Sequence, residues 1–360
     1  MNQELDFDCL VVGQGLAGSI LSWLLHKHGQ RVLVVDRGSK ESASAIAAGI
    51  INPVAGRRLV KYPQAEACLE HARSLYADLG HDLGQTFYRE QPMTRLFDRP
   101  EQQETWAKRK GAKDYQTYLG SRFEREQYSP VPANQFGGFY QHGCGHLDTR
   151  GLLAALRKFF RSINCLTERD FSWHHVSTTQ DGLKWNGYTI KHVISCEGFR
   201  SRNNPYFSWL PYQCSKGEIL TLESDRHLPD SMVSNGKWVL PLGGNLLRAG
   251  ATYQWQTLDS LISTEAEATL RSAAIELLGT GTHLTLHEHV AGVRAGTRDK
   301  HPFAGFHPAV TGIGIFGGFG SRGVLTIPYY ADCFVQLVLD DNPLPGEIDI
   351  ARYLDRYATG

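Results

Sequence analysis

Asp8-Cys9-Leu10-Val11-Val12-Gly13-Gln14-Gly15-Leu16-Ala17-Gly18 decides how the rest of the chain is read. A short apolar run ends in glycine, as a buried parallel strand does. In the residues that follow, SILSWLLHKHG, apolar side chains recur at Ile20, Leu21, Leu24 and Leu25, a helical spacing that stops at Gly29. RVLVVD, ending at Asp36, is the next apolar run. Strand, glycine turn, helix and strand fit within about 30 residues, the length of one βαβ unit. In such a unit Gly13 permits the tight turn. Gly15 lets backbone approach a pyrophosphate at the positive helix N-terminus, with Leu16 and Ala17 in the same turn. Gly18 lets helix pack closely on strand. Asp36 lies 23 residues after Gly13. That is near the spacing of about 20 expected for an acid that accepts both ribose hydroxyls of an adenosine. Arg37 stands beside it. An acid there disfavours a 2′-phosphate, so NADP is not expected. The fingerprint alone leaves NAD and FAD both open.

Composition sets the outer bounds. The chain has 360 residues, 41% of them hydrophobic, which supports a packed core and excludes wholesale disorder. Lys plus Arg and Asp plus Glu are both 37, so the formal net charge is zero. A neutral chain argues against a duplex-coating nucleic-acid binder, though not against a local basic patch. No apolar run reaches roughly 18 residues, so no transmembrane helix is expected. The first residues, MNQELDFDCLVVG, carry acids and no basic group. They read as the first strand rather than a signal peptide, and a cytoplasmic location is expected. Seven cysteines, an odd number without a CxxC pair, read as scattered reduced thiols.

Farther along, Ala65, Cys68, Leu69, Ala72, Leu75, Tyr76 and Leu79 recur at helical spacing. Residues 81–140 are more polar and show no long period. Asp148, before TRGLLAALRKFF, is a good N-cap. Strands are expected over 188–196, 217–223, 238–242 and 246–252, and a helix over 264–279. Strands ending in glycine loops are expected over 289–296 and 312–320, and a last helix over 324–339. No internal repeat or low-complexity linker interrupts this. The alternation His142-x-Cys144-x-His146 would place three metal-ligand types on one strand face. It has no evident fourth ligand and no common zinc spacing, so no metal is expected.

The remaining motifs separate the two cofactors. Ser44-Ala45-Ile46-Ala47-Ala48-Gly49-Ile50-Ile51-Asn52-Pro53 closely follows the second strand. GVRAGTRD (292–299), His301-Pro302 and Gly317-Gly318-Phe319-Gly320-Ser321-Arg322-Gly323 stand near the C-terminus. This set resembles the FAD-dependent D-amino acid oxidase superfamily, which includes glycine oxidase and sarcosine oxidase. The likeness runs over essentially the whole chain, with specific motifs only at its two ends. The GVRxxTRDxxP and GSRG elements are most similar to the C-terminal oxidase domain of the bifunctional bacterial enzyme that modifies the tRNA wobble uridine.

The resemblance implies an α/β, glycine-oxidase-like fold. A Rossmann-like FAD-binding domain would come from 1–80, 145–215 and 290–360, and an inserted α+β substrate domain from 81–144 and 216–289. It implies non-covalent FAD. Ser44, Ala47, Ala48 and Gly49 would lie along the pyrophosphate and ribityl chain, and Val176 would bracket adenine by its backbone. Gly198 would stand beside the cofactor, where Glu197 departs from the family's Ala-Gly. Gly318, Phe319, Gly320, Ser321, Arg322 and Gly323 would run past the flavin ring, with the following helix aimed at it. Arg294 matches the family arginine that clamps the substrate carboxylate; its plainer reading is a structural arginine at a strand end. Arg322 is a candidate for the same anion or for a flavin carbonyl. Tyr253 is either a pocket hydroxyl or a core or rim residue. Arg57, Arg58 and Lys61 read as a solvated basic loop or, more sharply, as a cluster of which one member faces the flavin.

The implied reaction is oxidation of a C–N bond in a small amine or amino acid. Hydride passes to flavin N5, the imine is hydrolysed, and oxygen or another acceptor takes the electrons. Two other classes remain open: an oxidase of the tRNA wobble-uridine side chain, and a non-catalytic flavin-binding protein.

Overall fold

The computed structural model describes residues 5–38, 42–124 and 136–359. Two eight-stranded sheets dominate the described residues. The first is built around Phe7–Val12, which pairs in parallel with Val32–Val35 on one side and Tyr188–Ser195 on the other. Leu166–Thr167 continues one edge and Ile313–Gly317 joins Tyr188–Ser195, both in parallel. The helix between the first two strands is Leu16–Lys27, as its apolar spacing predicts.

Side-chain alternation along Phe7–Val12 makes both faces of this sheet apolar. Cys9 and Val11 enter a core with Ile20, Tyr76, Tyr330 and Phe334, which come from the helices Leu16–Lys27, Ala65–Leu83 and Gly323–Asp340. Leu10 and Val12 face the other way and pack with Trp173, Ile190, Phe207 and Phe303. Asp148 caps the helix Thr149–Ser162, its carboxylate accepting from the Gly151 amide at 2.9 Å.

The second sheet runs Leu284–Arg294, Ser215–Ser224, Leu246–Gly250, Trp238–Gly243, Met232–Ser234, Met93–Leu96, Gly138–Gln141 and Leu119–Phe123. Period-two alternation divides it cleanly. Leu220, Leu222, Val239 and Leu247 pack against Leu270, Ala274 and Leu277 of the helix Thr264–Leu278. Gly217, Ile219, Ser234 and Trp238 face the opposite way, into a cavity.

Two local expectations are corrected, and the stretch without a period gains a helix. The strand expected over 289–296 begins at Leu284 and ends at Arg294, pairing along its length with Ser215–Ser224. Its first half is largely exposed, so the sequence there lacks an apolar signal, and the expected boundary at 290 falls inside it. Residues 81–140 contain the helix Glu101–Lys110, which has no fully buried residue, only Trp106 half-buried against the core, and therefore shows no apolar period. His142 and Cys144 lie in the turn between Gly138–Gln141 and Gly145–Leu147, so the three candidate ligands do not share a strand face. Among the described residues no helix is long and apolar enough to cross a membrane.

Candidate active site

Both sheets line one cavity of about 720 Å³. One end is built by the glycine turn. Gly13 has φ of +103°, and a Cβ there would come within 2.7 Å of the Cys196 carbonyl oxygen, so only glycine fits without strain. Gly15, Leu16 and Ala17 line the cavity. Gly18 does not: it sits behind the turn, where a Cβ would overlap the Gly13 carbonyl oxygen. The helix that starts here has no side-chain hydrogen bond from its N-cap and no acid in its first turn. One amide, that of Leu16, donates to the Ser44 hydroxyl at 3.0 Å. Asp36 and Arg37 also line the cavity. The Asp36 carboxylate is fixed by the Gln14 amide at 2.9 Å, the Gly38 amide at 2.6 Å and Arg157 Nη1 at 3.0 Å. A carboxylate has about four acceptor positions, so room remains for a hydroxyl donor.

The alanine-rich loop is held in place by residues far away in sequence. Arg248, on Leu246–Gly250 of the second sheet, donates from Nη1 to the Ala47 carbonyl at 2.7 Å and from Nη2 to the Ile46 carbonyl at 2.8 Å. Arg150 Nε adds the Ala45 carbonyl at 2.9 Å. Arg248 is 8% exposed, and burial lowers its pKa to about 10, so it stays charged at neutral pH. Held this way, Ser44, Ala47, Ala48 and Gly49 form part of the cavity wall.

A second uncapped helix N-terminus opens on the same space. Gly323–Asp340 has Arg322 at its N-cap, no side-chain cap and no acid in its first turn. Gly318, Phe319, Gly320, Ser321, Arg322 and Gly323 all line the cavity, and the Arg322 guanidinium lies 5.2 Å from the Tyr62 ring centre. Two partial positive poles on one cavity suit a ligand with a pyrophosphate at one end and a charge-gathering ring at the other. With the Gly13 turn and the Asp36 carboxylate, these residues fit FAD.

One family position departs from expectation. Val176 does not line the cavity; it packs beside Trp173 and Trp185, while Arg169, Asp170 and Phe171 line the wall there. Gly198 does line it, as does Glu197. Glu197 Oε2 accepts from Trp173 Nε1 at 2.8 Å, the Ser195 hydroxyl at 2.8 Å and Asn204 Nδ2 at 3.1 Å. The acid in place of the family's small residue ties together the segments around 173 and 204.

The other end of the cavity is made of side chains. Arg294 reaches across from Leu284–Arg294 over Gly217, where a Cβ would overlap the guanidinium. Its Nη1 donates to the Thr252 carbonyl at 3.3 Å, and its charge lies 4.3 Å from the centre of the Tyr253 ring. Burial holds its pKa below the usual arginine range. Tyr253, 51% exposed, stands at the mouth, stacked with Trp255 at 6.2 Å between ring centres. Trp238, Ile219, Ala251 and Ala48 supply an apolar wall.

The basic loop stays outside. Arg57 pairs with Asp98 at 2.9 Å, Lys61 pairs with Glu66 at 2.9 Å, and none of Arg57, Arg58 and Lys61 lines the cavity. Sequence reading missed Gly217, Trp238 and Arg248. The one local trace was the glycine opening the strand motif GEILTLE. Nothing in the sequence says which strand lies opposite.

A family model described as FAD dependent oxidoreductase (DAO) matches residues 8–337. Glycine oxidase of Pseudomonas putida is 24% identical to this chain, over 96% of this chain and 97% of that protein. Glycine oxidase of Geobacillus kaustophilus is 25% identical, over 89% of this chain and 90% of that protein. The solved glycine oxidase of Bacillus cereus superposes with a TM-score of 0.79 at 19% identity, covering 94% of this chain and 96% of that one. That likeness shows the shared fold, including the Rossmann-like sheet and the second sheet. The glycine turn, the acid after the second strand and the match over most of the length agree: the chain belongs to the FAD dependent oxidoreductase (DAO) family and uses FAD.

Proposed function

We propose that the chain oxidises the C–N bond of a small amino acid or secondary amine, using non-covalently bound FAD. The observation that carries this is Arg294. Its guanidinium is held in the cavity wall by a backbone carbonyl and an aromatic ring, and it has no carboxylate partner among the described residues. A partly buried cation in that state calls for an anion from the ligand. A planar guanidinium binds a carboxylate through two parallel hydrogen bonds, which orients as well as binds. Arg294 then fixes the substrate carbon between carboxylate and amine at the end of the cavity, while Trp238, Ile219 and Ala251 exclude water around it.

Bound FAD supplies the two-electron acceptance that the bond change needs. The amine carbon loses its hydrogen with the bonding pair, the nitrogen loses a proton, and an imine results. Water adds to the imine, the C–N bond breaks, and a carbonyl compound and an amine or ammonia leave. Oxygen or another acceptor is the terminal oxidant. The relatives named glycine oxidase support an amino-acid substrate. We assign the first sheet's segments to cofactor binding and the second sheet to substrate binding. Cys333, the cysteine after the glycine run 317–323, does not line the cavity, which speaks against attachment at that position.

An anaerobic screen of amines and amino acids tests the reading through bleaching of the flavin absorbance. Bleaching by an amino acid but not by its decarboxylated analogue is expected. A flavin that no amine reduces would reject it. Denaturation should release intact FAD into the supernatant; colour retained by the precipitate would reject non-covalent binding.

One observation favours a second reading, a tRNA wobble-uridine side-chain oxidase. Tyr253 and Trp255 are both more than half exposed and stacked at the cavity mouth, with Leu261 and Ile262 exposed nearby in sequence. Such faces can stack bases. The same screen with a tRNA bearing carboxymethylaminomethyluridine separates the readings: bleaching by that tRNA and by no free amino acid would select the second.

A further inference from the structure

Arg248 sits on the cavity side of its sheet but does not reach the cavity. Across the strands it pairs with Thr221 and Leu240, two positions along from the row of Ile219, Gly250 and Trp238. Period-two alternation therefore puts it on the face of Ile219 and Trp238, which line the cavity, whereas Arg248 does not. The loop 44–49 lies between. Ile46, Ala47 and Ala48 line the cavity, and the Ile46 and Ala47 carbonyls accept from Arg248 Nη2 and Nη1 at 2.8 and 2.7 Å.

The guanidinium is buried, its Nε has no hydrogen-bond partner, and among the described residues no carboxylate forms an ion pair with it. The Ala47 carbonyl accepts twice, taking the Thr149 hydroxyl at 3.3 Å as well, while Arg150 Nε holds the Ala45 carbonyl at 2.9 Å. A trans peptide carries its C=O and the following N–H on opposite sides. The peptide joining Ala47 to Ala48 is trans, so with its carbonyl drawn to Arg248 its amide points away from the sheet. That amide donates to no acceptor among the described residues, although Ala48 is only 9% exposed. A buried backbone N–H without an acceptor is rare, because leaving it unpaired costs about as much as a lost hydrogen bond. Ile219 and Ala251, packed against Ala48, offer only apolar side chains, so the acceptor has to come from the cavity.

We propose that Arg248 is a positioning residue for the cofactor: it holds the Ala47 carbonyl so that the Ala48 amide donates to bound FAD. Arg248 acts through the loop and needs no contact with FAD itself. The strand Leu246–Gly250 that carries it continues into Ala251 and Thr252, and the Thr252 carbonyl holds Arg294. One strand thus anchors both the loop 44–49 and Arg294. The inference goes beyond the proposed reaction and rests only on non-covalent FAD.

The test dilutes the FAD-loaded enzyme and reads released flavin by its fluorescence, so it needs no turnover. Arg248→Met should weaken FAD binding about fivefold to tenfold, as the loss of one hydrogen bond to the cofactor does. Arg248→Lys, which keeps the charge and can still donate to a carbonyl, should recover part of that loss. Ala48→Pro removes the amide and leaves Arg248 and both carbonyls in place. Ala47, with φ of −54° and ψ of 145°, already has the backbone preferred before proline. If Arg248 acts through that amide, the two losses do not add, and the double variant should release FAD about as readily as the weaker-binding single variant. Losses that add, or FAD binding within about twofold of the parent in either Arg248→Met or Ala48→Pro, would overturn the proposal. Should Arg248→Met not fold, Arg248→Lys takes its place in the cycle and is read by the same additivity. FAD that stays with the denatured parent would instead reject non-covalent binding, a separate failure.

Discussion

The two ends of the cavity are built by different means. The end we assign to the cofactor is made of near-contiguous segments: Gly13 with Gly15 to Ala17, Ser44 with Ile46 to Gly49, and Gly318 to Gly323. The end we assign to the substrate is made of single positions from separated segments: Gly217, Ile219, Trp238, Tyr253 and Arg294. Backbone binding needs small residues and tight turns, so it constrains consecutive positions. Side-chain binding constrains one position per strand and leaves its neighbours free. The difference teaches that the first end should fail through shape and the second through charge.

Effects of the largest size are expected at both ends, and the first is at the glycine turn. Gly18→Ala places a Cβ on the Gly13 carbonyl oxygen and within 3.0 Å of Cys196 Cβ. Overlap with backbone cannot be relieved by a rotamer, and overpacking costs about 1–3 kcal/mol, so FAD affinity should fall by roughly tenfold to a hundredfold. Flavin retained per chain after dialysis measures it. Undiminished FAD binding would break the comparison at its first term.

Acid should also strike the sheet that carries the glycine turn. His192 lies on Tyr188–Ser195, against Phe306, and burial lowers its pKa from 6.5 to about 4. The folded state therefore favours neutral imidazole, while the unfolded chain takes up a proton near pH 6.5. The stability due to His192 is full above that pH and is lost as pH falls toward 4. The shift sets an upper bound of about 3 kcal/mol. Urea unfolding between pH 7 and 4 should show this slope, and His192→Phe should flatten it. An unchanged slope would mean that other groups govern acid stability.

At the substrate end, Arg294→Ala should lower kcat/KM about tenfold to a hundredfold, since hydrogen bonds to charged groups contribute about 1.5–3 kcal/mol. FAD content should stay near that of the parent. Arg294→Lys should rescue in part, because the charge remains and the planar fork is lost. A decarboxylated analogue should be a poor substrate for the parent and lose little more in the variant. Gly217→Ala should imitate Arg294→Ala: the atoms nearest the new Cβ are the far end of a flexible side chain, which can move aside without unfolding the sheet. If Gly217→Ala released FAD instead, the two ends would not be separable.

The smallest effect belongs to Tyr253. Tyr253→Phe keeps the ring over Arg294 and should change KM by less than about twofold. Tyr253→Ala removes an exposed cation–π contact of about 0.5–1 kcal/mol, or roughly two- to fivefold in KM. A large loss in Tyr253→Phe would assign the hydroxyl a direct part in the reaction.

The same contrast explains which parts were readable in advance. The strand, turn and helix from Phe7 to Lys27 were legible because every requirement lies within one short segment: apolar run, glycine, helical period. That Asp36 and the glycine run 317–323 border a cavity was legible for the same reason. Val176 was placed by analogy with a family position, and here Phe171 and its neighbours occupy that wall instead. The helix Glu101–Lys110 escaped because it packs mainly through Trp106, and one half-buried side chain writes no period into the chain.

By itself the sequence determined the cofactor fold, since turn chemistry and strand burial act between residues close along the chain. Arg294 could be named from its motif, but not what surrounds it. That Gly217 makes space for its guanidinium and that Arg248 fastens a loop some two hundred positions earlier were decided by tertiary structure alone. These are contacts between strands brought together by sheet pairing. Register and side-chain reach set them, and neither is written in any local stretch of sequence.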